Sequence, residues 1–277
     1  SLVSDEVFDY IKEELEKKSP DDTYLKAIGA PISKNKVKLP YWLGSLNKNK
    51  ADTSVLKKWL DKYPGPSVIS NKLDGVSCCL YKKNNEVKMY TRGDGEHGQD
   101  ISHLAPYVLK GKLKFAKIPN GVAVRGELIM SKTKFKKFKD EQKNARNLVA
   151  GLVNSKHFNI SYAEATDFIA YEIIHPQYTR IDQMKQLLKW NFRVVTQKTM
   201  DHKKISNEYL SKYLEKQRAG GKYRIDGIVV ADSSKSYKPI TTKNPPFAFA
   251  FKTVITNQMA EATVLSVEWN VSRLDYL

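Results

Sequence analysis

The sequence predicts an α+β fold of antiparallel sheets flanked by helices. Three observations carry that expectation. Short β-forming segments occur in runs, at 68–70, 76–81, 87–91 and 122–130. Tight-turn chemistry separates neighbouring segments, as at Asn84-Asn85. Helical spacing falls between and outside these runs and does not alternate with single strands, which argues against a regular βαβ winding. With 277 residues the chain can bury one large core or two modest ones.

Residues 4–15 read as an amphipathic helix, with Val7, Ile11 and Leu15 at four-residue intervals and acidic residues early. Ser19-Pro20-Asp21-Asp22 stops it. Lys34-Asn35-Lys36-Val37-Lys38 reads as a polar, basic connector and a domain boundary. The next stretch, 39–47, is apolar and aromatic for a connector, so it should line a pocket or cover a core. Residues 53–60 form a short helix that ends before Tyr63-Pro64-Gly65-Pro66. Counting outward from Asn84-Asn85 pairs Leu80 with Met89 on one apolar face. The loop Thr91-Arg92-Gly93-Asp94-Gly95-Glu96-His97-Gly98-Gln99-Asp100 follows, and its three glycines would let backbone amides approach a ligand beside Arg92.

Residues 122–130 read as a buried strand with Arg125-Gly126-Glu127 in its middle. Buried charge is costly unless paired or bound, so this is either an internal ion pair or a ligand site. Ser131 can cap a helix anchored by Phe135 and Phe138. Lys132, Lys134, Lys136, Lys137 and Lys139 then form either a solvated face or a phosphate-backbone contact. Ala145, Leu148, Val149, Leu152 and Val153 make a helical stripe that leaves Arg146 off the core face. Strands at 167–174, 224–230 and 247–252 and helices at 181–190 and 208–216 complete the set.

Lys+Arg 47 against Asp+Glu 30 gives a formal charge of +17, which draws polyanions, with nucleic acid ahead of an anionic membrane. No apolar run spans a membrane and no signal peptide opens the chain, so a soluble protein is expected. Adjacent Cys78 and Cys79 point to opposite faces of a strand and suit a reducing intracellular compartment. The five histidines lack metal-site spacing, so no protein-held metal is expected.

Lys72 stands between the apolar strand ending Val68-Ile69 and the Asp74-Gly75 turn. A lysine there is either a solvated surface group or a nucleophile whose free amine is populated by nearby cations or desolvation. Joint motifs favour the nucleophile. Lys72-Leu73-Asp74-Gly75, Arg125-Gly126-Glu127, the 167–172 segment, Asp226-Gly227-Ile228-Val229-Val230 and Phe247-Ala248-Phe249-Ala250-Phe251-Lys252 occur in the order of the covalent nucleotidyltransferase motifs. Two further stretches, Thr91-Arg92-Gly93-Asp94-Gly95-x-x-Gly98 and Asn144-x-Arg146-Asn147-x-x-Ala150-Gly151, resemble signatures of the NAD-dependent DNA ligases. Ser4-Asp5-x-x-Phe8-Asp9 resembles part of that family's N-terminal domain, which handles the nicotinamide mononucleotide half of NAD. The resemblance implies an ATP-grasp-like ligase catalytic domain with a small helical N-terminal subdomain. It divides the chain into 1–37 (partial N-terminal domain), 38–257 (adenylation domain) and 258–277 (linker and first strand of a truncated OB-fold).

The same resemblance assigns roles. Lys72 would attack the adenylyl phosphorus of NAD, giving lysyl-AMP, and Lys252 would contact the phosphate and favour the neutral amine. Glu127 would accept a ribose hydrogen bond and Tyr171 would stack on adenine. Ser45 and Leu46 would line the base pocket, with Ser70 and Asp74 beside the nucleotide. Asp5, Phe8 and Asp9 would meet the nicotinamide nucleotide. Arg92 and Arg146 would serve phosphates or DNA, with Lys136 and Lys137 on the DNA backbone. Mg²⁺ would shield the diphosphate. AMP would pass to the 5′-phosphate of nicked double-stranded DNA for sealing in replication or repair, by a monomeric, intracellular enzyme.

Departures from the pattern are Ser70 for a glutamate, Ala231 for a phosphate-binding lysine (with Lys235 and Lys238 as substitutes), Asn154 for an arginine and Gln99 for an acid. They point to a viral or otherwise outlying lineage. The alternatives are an ATP-dependent polynucleotide ligase or capping-type enzyme, and a catalytically silent basic DNA-binding module.

Overall fold

The computed structural model describes residues 11, 14–22, 36–49, 51–109, 118–155, 158–241 and 243–252. The expected first helix is covered in part: residues 14–18 are helical, and the helix ends at Ser19 as its sequence predicts. Asp5, Phe8, Asp9 and the 258–277 segment lie outside the described residues.

Two antiparallel sheets organise the rest. The first combines β2 (Asn47–Asn49), β3 (Ser67–Leu73), β9 (Gln197–Met200), β10 (Ile225–Asp232) and β11 (Ala248–Phe251) in the order β2-β11-β10-β3-β9. Only the β11–β2 pair in it is parallel. The second combines β4 (Val76–Lys83), β5 (Glu86–Thr91), β7 (Ala123–Met130) and β8 (Thr166–His175) in the order β5-β4-β7-β8. Asn84 and Asn85 both take positive φ, 50° and 64°, the backbone a two-residue hairpin turn requires. That turn sets the register, and Leu80 pairs with Met89, both 0% exposed.

Each sheet buries one face under helices. Cys78, Leu80, Leu128 and Phe168 pack against Leu148 and Val149 of α4 (Ala145–Asn154) and Leu187 of α6 (Arg180–Lys189). Ile69, Ile228, Val230 and Phe251 pack against Leu56 of α1 (Thr53–Lys62) and Leu210 and Leu214 of α7 (Asn207–Gly220). All five residues of the predicted α4 stripe are buried. Each of its leucines and valines contributes roughly 1.5–3 kcal/mol relative to exposure. Cys78 and Cys79 enter different clusters, as opposite strand faces require.

Several features differ from the sequence reading. The basic connector is in part a strand: β1 (Lys36–Lys38) pairs with β6 (His97–Gln99), Val37 facing Gly98. Two lysines around a single valine are too short a segment to carry an alternating signal, and their partner lies about sixty positions along. The glycine loop is in part a scaffold, while its Arg92 and Gly93 line an open cleft. Its Gly95 and Glu96 carbonyls accept hydrogen bonds from Leu43 (2.9 Å) and Leu39 (2.8 Å). Gly95 has φ +98°, and a Cβ at Gly98 would stand 2.1 Å from the Thr91 carbonyl, so both glycines serve close chain packing. In the lysine run, Lys132 donates to the Arg218 carbonyl (2.8 Å) and Lys134 to the buried Asp167 (2.8 Å), which also holds Arg193 and Tyr223. Lys136 and Lys137 stay exposed. No helix among the described residues is long and apolar enough to cross a membrane.

Candidate active site

β3 ends at Leu73, and the chain crosses at Asp74-Gly75 into β4 of the other sheet. Lys72 therefore stands at the seam between two sheets whose helix-covered faces are already filled. The remaining faces line a cleft of ≈ 940 Å³, large for a small-molecule site. Ser45, Leu46, Ser70, Lys72 and Lys252 line it from one side, and Arg92, Glu127, Arg146 and Tyr171 from the other. Nine residues expected from the sequence are thus brought together. Asp74, Lys136 and Lys137 are not among the lining residues.

Asp226 is the residue that sequence reasoning left without a role. In the β10–β3 register Ile225 faces Leu73 and Gly227 faces Lys72, so Asp226 is the extra residue of a β-bulge. A bulge re-aims a side chain, here into the cleft. Its Oδ2 accepts from Lys72 Nζ at 2.9 Å and pairs with Lys252 Nζ at 3.2 Å, while its buried Oδ1 has no hydrogen-bond partner. Burial raises the Asp226 pKa, but the Lys72 and Lys252 ammonium groups outweigh it and hold the carboxyl below its ordinary range. A carboxylate thus stands between the two lysines, where the sequence reading had only their mutual repulsion. A charged residue inside an apolar strand was the available signal, the same one that marks Arg125 and Glu127.

The neighbouring groups are oriented by local structure. Asn144 caps α4 through a 2.8 Å bond from the Asn147 amide, which puts Arg146 on the first turn. Asp74 accepts from Arg146 at 3.0 Å and lies 3.9 Å from Arg224, so it clamps the crossover and the arginine and does not face the cleft. Arg125 donates to the Gly44 carbonyl (2.8 Å) and Ser77 Oγ (3.3 Å) and lies over the Tyr171 ring, 5.9 Å from its centroid. It fixes the 39–46 segment that carries Ser45 and Leu46. Tyr171 OH and Ser77 Oγ share a 2.9 Å hydrogen bond. Burial and then the Arg125 charge lower the Arg92 pKa, so an anion in the cleft would be welcome. Gln99 donates to the Val153 carbonyl at 3.0 Å. Ala231 is 2% exposed, while Asn154, Lys235 and Lys238 line the cleft.

Burial pushes the Glu127 carboxyl up to about 7, although Lys72, Arg125 and Arg146 pull it down. The folded state then keeps a proton that the unfolded chain releases near 4.5, so stability falls as pH rises between these values. Glu127→Gln removes the penalty. The variant should be more stable than the parent at pH 8 by about 3 kcal/mol, with no difference near pH 4, as read by urea unfolding.

A strand-borne lysine at the seam of two antiparallel sheets, facing a second lysine across a carboxylate, defines the covalent nucleotidyltransferase class. The solved structure described as Pmar-Lig_PreS3 superposes with a TM-score of 0.51 at 16% identity, covering 75% of this chain and 46% of that one. An archaeal ATP-dependent RNA ligase gives 0.50 at 10% identity, covering 78% and 49%. These likenesses show the fold alone. The chain belongs to the NAD-dependent DNA ligase adenylation domain family, whose model matches residues 45–254. It is 43% identical to the DNA ligase of Acanthamoeba polyphaga mimivirus over 91% of this chain and 40% of that protein. The DNA ligase of Thermotoga maritima is 30% identical over 80% of this chain and 34% of that protein. The chain spans less than half the length of these relatives.

Proposed function

We propose that this chain takes AMP from NAD onto Lys72. The convergence of Lys72 and Lys252 on one Asp226 oxygen carries the reading. Lys72, once its ammonium has given one proton to solvent, forms a P–N bond from its lone pair to the adenylyl phosphorus, and the bond from that phosphorus to the bridging oxygen breaks. Nicotinamide mononucleotide leaves with the electron pair. Asp226 accepts the proton that the amine sheds as the bond forms, and Lys252 moves its hydrogen bond from Asp226 to the phosphate as negative charge develops there. Glu127 in its ionised form holds a ribose hydroxyl. Tyr171 and Leu46 sandwich the base, with Ser45 and Ser70 at its edges. Arg92 and Arg146 meet phosphates. Asp5, Phe8 and Asp9 are proposed for the nicotinamide end on sequence resemblance alone.

Among the described residues no three His, Cys, Asp or Glu converge to hold a metal. The expected Mg²⁺ would shield the diphosphate of NAD. AMP would then pass to the 5′-phosphate of nicked duplex DNA, drawn by the +17 charge, with Lys136 and Lys137 on the backbone. Residues 38–257 would form the adenylation domain of a monomeric, intracellular enzyme.

The test is the intact mass after incubation with NAD or ATP and Mg²⁺. Gain of one AMP moiety with NAD alone is expected. Gain with ATP alone would move the chain to the ATP-dependent ligases, and no gain from either would leave a silent basic DNA-binding module.

A further inference from the structure

Resting on that reading of the cleft, we propose that Glu172 selects the nucleobase by accepting a hydrogen bond from its exocyclic amine. The β7–β8 register carries the argument. Arg125 faces Glu172 and Gly126 faces Ala170, so Tyr171 is the extra residue of a bulge. Consecutive side chains, Tyr171 and Glu172, consequently line the same cleft, where alternation would send one away. A base stacked on the Tyr171 ring presents its edge beside the next residue.

The cleft's other carboxylates are engaged elsewhere. Glu127 and Asp226 sit at the Lys72 end. Asp232 is 1% exposed, and its Oδ2 accepts from Ser234 and Tyr237. The Glu172 side chain is 27% exposed, and its ion pairs are long: 3.5 Å from Oε1 to Arg180 Nη2 and 3.8 Å from Oε2 to Arg125 Nη1. Each oxygen keeps a lone pair for a ligand. Ser70, on the floor, either donates or accepts, so its hydroxyl cannot tell an amine from a carbonyl. A carboxylate between two guanidinium groups accepts only, and it penalises a ring carbonyl at the same place.

The experiment compares the rate of AMP or IMP capture from NAD and from nicotinamide hypoxanthine dinucleotide, which carries a carbonyl in place of the amine. The parent should prefer NAD by about tenfold or more. Glu172→Gln, whose amide can turn to offer a donor, should reduce that preference to about threefold or less. Ser70→Ala should retain it. Both substrates are read on the same protein, so a loss of folded fraction cancels from the ratio. An unchanged ratio in Glu172→Gln, or its collapse in Ser70→Ala alone, would overturn the assignment. Equal or greater capture from the hypoxanthine form by the parent would do so too, and would give the base edge to donors such as Lys48. No capture from either would remove the adenylylation reading itself, and this inference with it.

Discussion

Lys72→Arg should fold like the parent and take up no AMP at all. The substitution keeps a cation beside Asp226, and Lys252 still holds that carboxylate at 3.2 Å, so the cost in stability should be about 1 kcal/mol or less. A guanidinium does not deprotonate near neutral pH and offers no lone pair. Lys72→Ala should be equally silent. Intact mass after incubation with NAD checks both variants, with a thermal melt confirming that they fold. AMP uptake by either one would place the nucleophile elsewhere.

The second large effect is expected at Asp226. Asp226→Asn keeps the shape of the side chain but removes the charge that aims both lysines and the group proposed to take the proton. Single-turnover capture of AMP should slow by about a hundredfold or more at neutral pH. The deficit should narrow as pH rises, because hydroxide and solvent can then remove the proton. A rate within threefold of the parent at neutral pH would show that neither aiming nor proton acceptance depends on this carboxylate.

Much of the scaffold was legible because local rules and global fold agree. Asn84-Asn85 set a hairpin register that the sequence alone could count, and α4 shows its buried stripe residue for residue. Lys72 and the other cleft residues were legible through motif order more than through chemistry, since Lys72 alone reads as a surface lysine. What escaped was set by long-range pairing. The bulges at Asp226 and Tyr171 arise from register against other strands, and nothing local announces an extra residue. The same holds for Lys36–Lys38, a three-residue lysine-flanked strand that exists because the glycine loop returns to pair with it. Asp74 looked like a cleft residue from its motif, yet its carboxylate turns toward Arg146 and Arg224. Sequence spacing places a residue on a strand. Which neighbour takes its side chain is decided by the partner strands.

The most direct test of the account is to locate the adduct by peptide mapping after incubation with NAD. The account predicts AMP on the peptide containing Lys72, as an acid-labile phosphoramidate that excess nicotinamide mononucleotide reverses to NAD. AMP on any other lysine, or on none while the chain is folded, would contradict it.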